Sequence, residues 1–429
     1  MWRLSHWMLR AISGVFFWFA QRMAPAGKVA TGIAIIAAAL GVDTRQTMAF
    51  QIFAVTAAAL VIALVAAKSM RPRFEIERNA PRLVTAGQEF SYRVWVRNAG
   101  AKTAQGLSFF EQIADPRPSL ALFRASLRFP TYRGWWRLVM QAQPVLLEDA
   151  TVPPLRPGER VMVEVRGHAR RRGTFELTGA TVAQAEPLGM VRALARLPVA
   201  GSMVVLPPRY ALDPLAFAGA RRYQQGGVTL ANSVGDSEEF VGLREYRPGD
   251  PLQRIHWKSF ARLGEPVVRE FQDEFFERHA LVLDTFAGAQ QAEAFEEAVS
   301  VAASFACTLD TQESLLDLLF VGSEAYSFTA GRGQLQVGTL VEILAGVRAS
   351  TDKSFSVLAQ TLLAKRGALS GCMLILLDCD APRMDLVRHL QASGVALRVL
   401  LIAAREPAQL PVGWTLLTPG RIQEGLAAL

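Results

Sequence analysis

The densest run of reactive side chains lies between Glu238 and Arg262. Glu239, Arg244, Glu245, Asp250, His256, Lys258 and Arg262 are interleaved there with Phe240, Leu243, Tyr246, Pro248, Gly249, Ile255 and Trp257. Arginine forks pair with carboxylates in a fixed two-bond geometry, so such a stretch can lock a loop onto a neighbouring domain or form a surface for a partner. Phe240, Leu243, Tyr246, Ile255 and Trp257 are expected to be its apolar anchors. A hydrolytic reading would use His256 with Asp250. It also requires a nucleophile and an oxyanion hole, and Ser259 alone does not supply them.

Other reactive signatures are missing from the chain. No G-x-x-x-x-G-K-[ST] occurs, and Gly331-Arg332-Gly333 lacks the lysine, so the chain is not expected to hydrolyse ATP. There is no H-E-x-x-H and no G-x-S-x-G. Of the five histidines only His256 stands among other candidate groups. These absences point to a protein that is not an enzyme.

A second set of carboxylates follows apolar runs. Ala280-Leu281-Val282-Leu283 leads to Asp284, and Cys372 to Leu377 leads to Asp378. Helical periodicity over 292–308, 354–365 and 385–392 alternates with strand-like runs at 315–321, 325–328, 372–377 and 395–402. That alternation calls for a doubly wound, mainly parallel α/β sheet. Ligands in such sheets sit at the carboxyl ends of the strands, where both aspartates fall.

Upstream the texture is that of short strands. Phe74 to Arg78 and Phe90 to Val96 alternate apolar and polar residues, as half-buried strands do. Further runs at 161–165, 173–177 and 203–206 suggest a β-sandwich, immunoglobulin-like in its spacing. Leu122 to Met140 interleaves five aromatic residues with Arg124, Arg128, Arg133 and Arg137. It reads as an insertion covering the sandwich's own core; the alternative is a surface for a membrane or a protein.

Nearest the N-terminus, Thr47–Ala67 is apolar for about the length a spanning helix needs, and Val29–Val42 is shorter. Only Asp43-Thr44-Arg45-Gln46 separates them, so a tight transmembrane hairpin is expected. Arg3, Arg10, Arg22 and Lys28 precede it, and Lys68, Arg71 and Arg73 follow. The positive-inside rule then places both termini and the soluble domains in the cytoplasm of a bacterial inner-membrane protein. Residues 1–28, with Trp7 and Phe16-Phe17-Trp18-Phe19, read as an interfacial segment rather than a cleaved signal.

The net charge of +8 is unevenly spread: residues 206–429 carry twenty Lys/Arg against twenty-six Asp/Glu, so the basic excess lies in the first half. Anionic headgroups would attract it. No nucleic-acid recognition motif accompanies it. The cysteines Cys307, Cys372 and Cys379 form no metal spacing and read as buried small hydrophobes.

One resemblance is specific. E-F-x-x-L-R-E-Y-x-P-G-D-P-x-x-x-I-H-W-K-x-x-A-R, from Glu239 to Arg262, resembles the hallmark of the bacterial "domain of unknown function fifty-eight" family. Arg172-Gly173-Thr174-Phe175 and Glu186-Pro187-Leu188-Gly189-Met190-Val191-Arg192 are similar to that family's approach to the hallmark. The resemblance implies a membrane-anchored protein associated with a MoxR-type AAA+ ATPase and a von Willebrand factor A-like C-terminal domain. Domains of that type often hold Mg²⁺ through Asp-x-Ser-x-Ser with a distant Thr and Asp. Here Phe286 and Gly288 stand at the serine positions, leaving Asp284, Asp378 and Thr351 as a degenerate metal set. The expected organisation is an interfacial segment (1–28), a transmembrane hairpin (29–67), a sandwich (74–206), the hallmark segment (207–279) and the α/β domain (280–429). The expected function is a non-enzymatic adaptor or assembly factor without a cofactor, acting on the bilayer, on the ATPase and on membrane or secreted clients. A metal-dependent receptor is the alternative, and a hydrolase the weaker one.

Overall fold

A computed structural model describes residues 2–40, 47–212, 238–248, 250, 252, 255–273, 277–308, 314–321, 325–330, 334–350, 354–407 and 409–427. Gly249 and Thr351, and the side chains of Glu239 and Phe240, lie outside the described residues. The chain divides into two compact units, the first holding Met1–Pro208 and Leu344–Gly346 and the second Arg209–Ile343 and Val347–Leu429.

The first unit opens with three helices: α1 (Trp2–Arg22), α2 (Pro25–Leu40) and α3 (Thr47–Ser69). α3 has 23 residues, uninterrupted by charge until Lys68, and is long and apolar enough to cross a membrane. α2 has 16 residues, about 24 Å of helix, and is short for that task.

The strands that follow are β1 (Phe74–Asn79), β2 (Leu83–Thr85), β3 (Glu89–Asn98) and β4 (Leu107–Ile113). After two helices, α4 (Leu120–Ser126) and α5 (Tyr132–Gln141), come β5 (Val145–Leu147), β6 (Ala150–Val152), β7 (Arg160–Ala169), β8 (Gly173–Ala185), β9 (Arg192–Leu197) and β10 (Gly201–Leu206). They form a β-sandwich. One sheet has the order β1-β3-β7-β5; the other runs β2-β10-β8-β4-β6, with β9 beside β8. Alternation in β3 and β7 turns Tyr92, Val94, Val96, Val163 and Val165 inward onto Phe109, Ala180 and Val182 of the facing sheet. Between the sheets Glu111 accepts hydrogen bonds from Arg78 (3.0 Å) and Tyr92 (2.9 Å), so its buried carboxylate is satisfied.

The Leu122–Met140 insertion does not cover the sandwich core. Phe123, Trp135, Leu138 and Val139 form a separate cluster with Leu9 of α1, bordered by Trp2, Phe17 and Trp136. Ser119 and Thr131 cap the two helices with their hydroxyls, which fixes where each begins. His6 pairs with the Pro118 carbonyl (3.0 Å), and Arg10 and Arg117 share the Asp115 carboxylate. Arg117's hydrogen bonds, above all, hold the Asp115 carboxyl below its ordinary pKa.

The second unit holds β11 (Glu238–Glu245), α6 (Trp257–Leu263) and β12 (Val267–Asp273), then β13 (Glu277–Leu283), α7 (Ala292–Thr308), β14 (Ser314–Val321) and β15 (Ala325–Ala330). It continues with α8 (Gln334–Gly346), α9 (Phe355–Lys365), β16 (Gly371–Leu376), α10 (Ala381–Ala392), β17 (Ala396–Ile402), β18 (Trp414–Leu417) and α11 (Ile422–Leu426). Six strands form one sheet in the order β15-β14-β13-β16-β17-β18, parallel except for the edge strand β15. All six residues of β16 are buried, which is why it reads as an unbroken apolar run rather than an alternation. Alternate side chains of the sheet pack on α9 and α10 through Phe355, Leu358, Leu362, Leu386 and Leu390. Chain order reverses at β13, with β14 on one flank and β16 on the other, so a switch-point crevice opens at their carboxyl ends. Cys372 is buried in β16, while Cys307 and Cys379 are half-buried, short of the full burial expected for all three.

Candidate functional site

The hallmark residues fold as a small two-stranded sheet with a helix inserted in it. β11 and β12 pair antiparallel with Arg244 opposite Val268 and Glu245 opposite Val267. Arg244 grips Asp250 with both ends of its fork, Nη1 to Oδ2 at 2.6 Å and Nη2 to Oδ1 at 2.7 Å. The Arg247 amide adds a third bond to Oδ2 (2.9 Å). Arg244 first, then Arg247, pull the Asp250 pKa down to about 2. Tyr246 N–H donates to the Pro266 carbonyl (3.0 Å) and His256 N–H to the Val267 carbonyl (2.8 Å), closing the loop onto β12. α6 ends at Gly264, whose φ of 76° suits glycine and terminates the helix in a left-handed cap.

Only some of the expected anchors are buried. Ile255 lies inside, bridged to Val268. Leu243 (43 % exposed), which pairs opposite Arg269 in the ladder, and Trp257 (61 %), the first residue of α6, are exposed. Leu252, Phe260 and Leu263 are exposed as well, and exposed Lys258 and Arg262 lie on the same helix as Trp257, Phe260 and Leu263. Trp257 and Phe260 meet edge to face at 6.0 Å. Neither the exposed Leu243 nor Trp257 departs from an apolar pattern in sequence, so nothing there announced their outward direction.

His256 Nδ1 pairs with Ser259 Oγ at 2.7 Å, three residues on in α6. Among the hydrogen bonds of the described residues none joins His256 to Asp250, whose carboxylate accepts from Arg244 and the Arg247 amide.

At the crevice of the large sheet, Asp284 is fully buried and follows β13 directly. Its Oδ2 accepts from Arg383 Nε (2.7 Å) and from the Leu377 amide (3.1 Å), and its Oδ1 from the Phe286 amide (3.0 Å). Arg383 also reaches Asp380 Oδ2 through Nη1 (2.6 Å) and lies 4.6 Å above the Phe355 ring. Burial opposes the Arg383 charge; Asp284 and Asp380 outweigh it, so its pKa rises. A guanidinium thus takes the place a cation would need. Asp378, the expected second ligand, is exposed and accepts from its neighbour's Cys379 amide (2.7 Å). Sequence reasoning missed both Arg383 and Asp380, the latter the N-cap of α10. No group of three or more His, Cys, Asp or Glu suited to a metal occurs among the described residues. The residues present do not fit a Mg²⁺ site built on Asp284 and Asp378.

In the first unit the Glu186–Val191 stretch seats the helices. Glu186, 2 % exposed, accepts from the amides of Leu188, Met190 (2.7 Å) and Val191 (3.2 Å), folding a turn with Gly189 at φ 68°. The turn offers the Met190 carbonyl to the Ala24 amide (2.9 Å), and Val191 bridges to Met23. Ala63 and Ala67 of α3 complete that apolar cluster. Gly27 passes so close that an added Cβ would lie 2.0 Å from the Met190 carbonyl oxygen.

Residues 242–421 match the family described as "Protein of unknown function DUF58". "Uncharacterized protein YeaD" of Bacillus subtilis (strain 168) is 24 % identical over 196 residues, 45 % of this chain and 48 % of that protein, so the chain spans about half the length of this relative. Among solved structures, the CARDB domain of the PF1109 protein from Pyrococcus furiosus is 14 % identical over 32 % of this chain and 89 % of its own, at a TM-score of 0.18. E. coli alpha-2-macroglobulin is 10 % identical over 82 % of this chain and 16 % of its own, at a TM-score of 0.20. Over residues 242–421, the hallmark hairpin and the sheet that follows it, the chain is thus similar to the DUF58 family.

Proposed function

We propose that the chain is a membrane-anchored, non-enzymatic adaptor or assembly factor that presents its hallmark hairpin to a protein partner. The observation that carries this reading is the exposure of Trp257, Leu263 and Leu243 in a hairpin whose loop is held by the two-bond Arg244–Asp250 pair. Large exposed apolar side chains mark interaction sites, and aromatic residues and arginine are enriched at protein interfaces. The partner implied by family resemblance is a MoxR-type AAA+ ATPase, which would supply the energy that a chain lacking a phosphate-binding loop does not.

The finer architecture belongs to this same reading. α2 and α3 act as a two-span hairpin in a bacterial inner membrane, with both termini and the soluble units in the cytoplasm. The basic flanks favour that orientation. The sandwich is immunoglobulin-like, and the parallel sheet is a von Willebrand factor A-like domain whose ion is replaced by Arg383. That replacement weighs against a metal-dependent receptor, since such a receptor would use Asp284 as a ligand.

Crosslinking in native membranes, followed by capture through a C-terminal tag, tests the proposal. Recovery of an AAA+ ATPase, lost when residues 206–429 are deleted, is the expected result. Recovery of client proteins with no ATPase would overturn it.

A further inference from the structure

We propose that α1 and the α4–α5 insertion packed on it lie at the membrane surface and bind the headgroups of anionic phospholipids. The inference rests on reading α3 as a membrane span.

α1 carries two apolar stripes. Trp2, His6, Leu9 and Phe17 recur at helical spacing and turn toward the insertion, where Phe123, Trp135 and Trp136 receive them. Leu4, Trp7, Met8, Val15 and Trp18 form the other stripe and are exposed. A helix that already buries one apolar face in its own domain has no need of a second for folding. Tryptophans on such a face suit the boundary between headgroup and acyl chain.

The insertion presents exposed apolar and basic side chains of its own. Phe129 (65 % exposed), Tyr132, Leu122 and Met140 are exposed on or beside α4 and α5, the helices that clamp α1. Arg124, Arg128, Arg133 and Arg137 are exposed among them, and no acid occurs between Asp115 and Glu148. Residues 1–42 likewise contain four basic residues and no acid. Apolar side chains flanked by cations of one sign match a surface of acyl chains beneath anionic headgroups. The end of α1 also meets the span: Phe19 and the following Met23 pack on Ala63 and Ala67 of α3. A membrane crossed by α3 therefore begins where α1 ends.

The test uses the full chain in nanodiscs, with the photocrosslinker p-benzoylphenylalanine in place of Phe129 or, separately, of Phe53 in α3. With phosphatidylglycerol present, lipid adducts are expected at both positions. Adducts at Phe53 but not at 129, or crosslinks from 129 to a second protein chain, would overturn the proposal and leave the anchor standing. Adducts at neither position would remove the anchor and the proposal together. The combined Arg124→Gln, Arg128→Gln, Arg133→Gln and Arg137→Gln variant is expected to lose the adduct at 129 and keep that at Phe53. Raised salt on the otherwise unaltered chain should do the same without touching the fold. An adduct at 129 undiminished by both treatments, or equally strong in pure phosphatidylcholine, would overturn the role given to anionic headgroups.

Discussion

Arg383 Nε stands 2.7 Å from Asp284 Oδ2, joining two residues 99 positions apart inside the carboxyl-end crevice of the sheet. The carboxylate is fully buried and the guanidinium side chain is 6 % exposed, so neither charge has water to fall back on. Removing one partner of such a pair costs about 3–5 kcal/mol, because the other is left buried and uncompensated. Arg383→Met is expected to lower stability by that amount in a denaturant titration. Adding Asp284→Asn should recover part of the loss by removing the orphaned charge. A double variant less stable than the single one would show that the pair does not act as a pair.

The same relationship bears on cation binding. With Arg383 and two backbone amides on Asp284, a divalent ion would have to displace a guanidinium to reach the carboxylate. Calorimetry with Mg²⁺ and Mn²⁺ is expected to show no saturable uptake by the wild-type chain. Uptake that disappears in Asp284→Ala would return the receptor reading to first place.

How much of this the residues announced depends on the range of the interaction. Local patterns were legible: β3 reads as a strand because its alternation matches one wet and one dry face, and β16 because both its faces are dry. β18 and α11 follow from no comparable pattern, being four and five residues long. The importance of Asp284 was legible from its place after an apolar strand, but its partner was not. Arg383 is one arginine among many, and only the closing of the sheet brings it there. Asp380 differs from the expected Asp378 by two residues, the distance between an exposed turn and a helix cap. The insertion misled for a related reason, since an amphipathic segment does not state which apolar surface it covers.

The hallmark clamp should carry its own pH dependence. The Asp250 pKa, depressed to about 2, lies below the unfolded value of ~3.9. Its contribution is therefore present above ~3.9 and is lost as pH falls through about 2. The Arg247 amide, which donates to Asp250, is expected to hold a constant chemical shift from pH 8 to 5 and titrate with a midpoint near 2. Arg244→Gln should move that midpoint up toward ~3.9. An unmoved midpoint would mean that the fork does not hold the carboxylate.

Gly27→Ala tests the seat of the helices. Its Cβ would fall on the Met190 carbonyl oxygen, a backbone atom that cannot swing aside, within a turn already fixed by Glu186. Overpacking of this kind costs about 1–3 kcal/mol. Faster proteolysis between Met23 and Lys28 and a lower melting temperature for the first unit are expected, with the second unit's melting unchanged. An unaltered digestion pattern would show that the α1–α2 junction does not depend on the turn.

Partner recognition and folding should separate cleanly across the hallmark. Trp257 and Leu263 are 61 % and 68 % exposed, whereas Ile255, two residues before Trp257, is 5 % exposed. Replacing exposed side chains changes stability by about 0.5 kcal/mol or less, while Ile→Ala in a packed site costs about 2–5 kcal/mol. Trp257→Ala with Leu263→Ser is therefore expected to leave the melting temperature in place and abolish capture of the ATPase. Ile255→Ala should lower the melting temperature and weaken capture only as far as the hairpin unfolds. If the exposed pair can be removed with capture intact, the partner is reading some other surface. The clamp of Arg244 and Asp250 would then serve the fold alone.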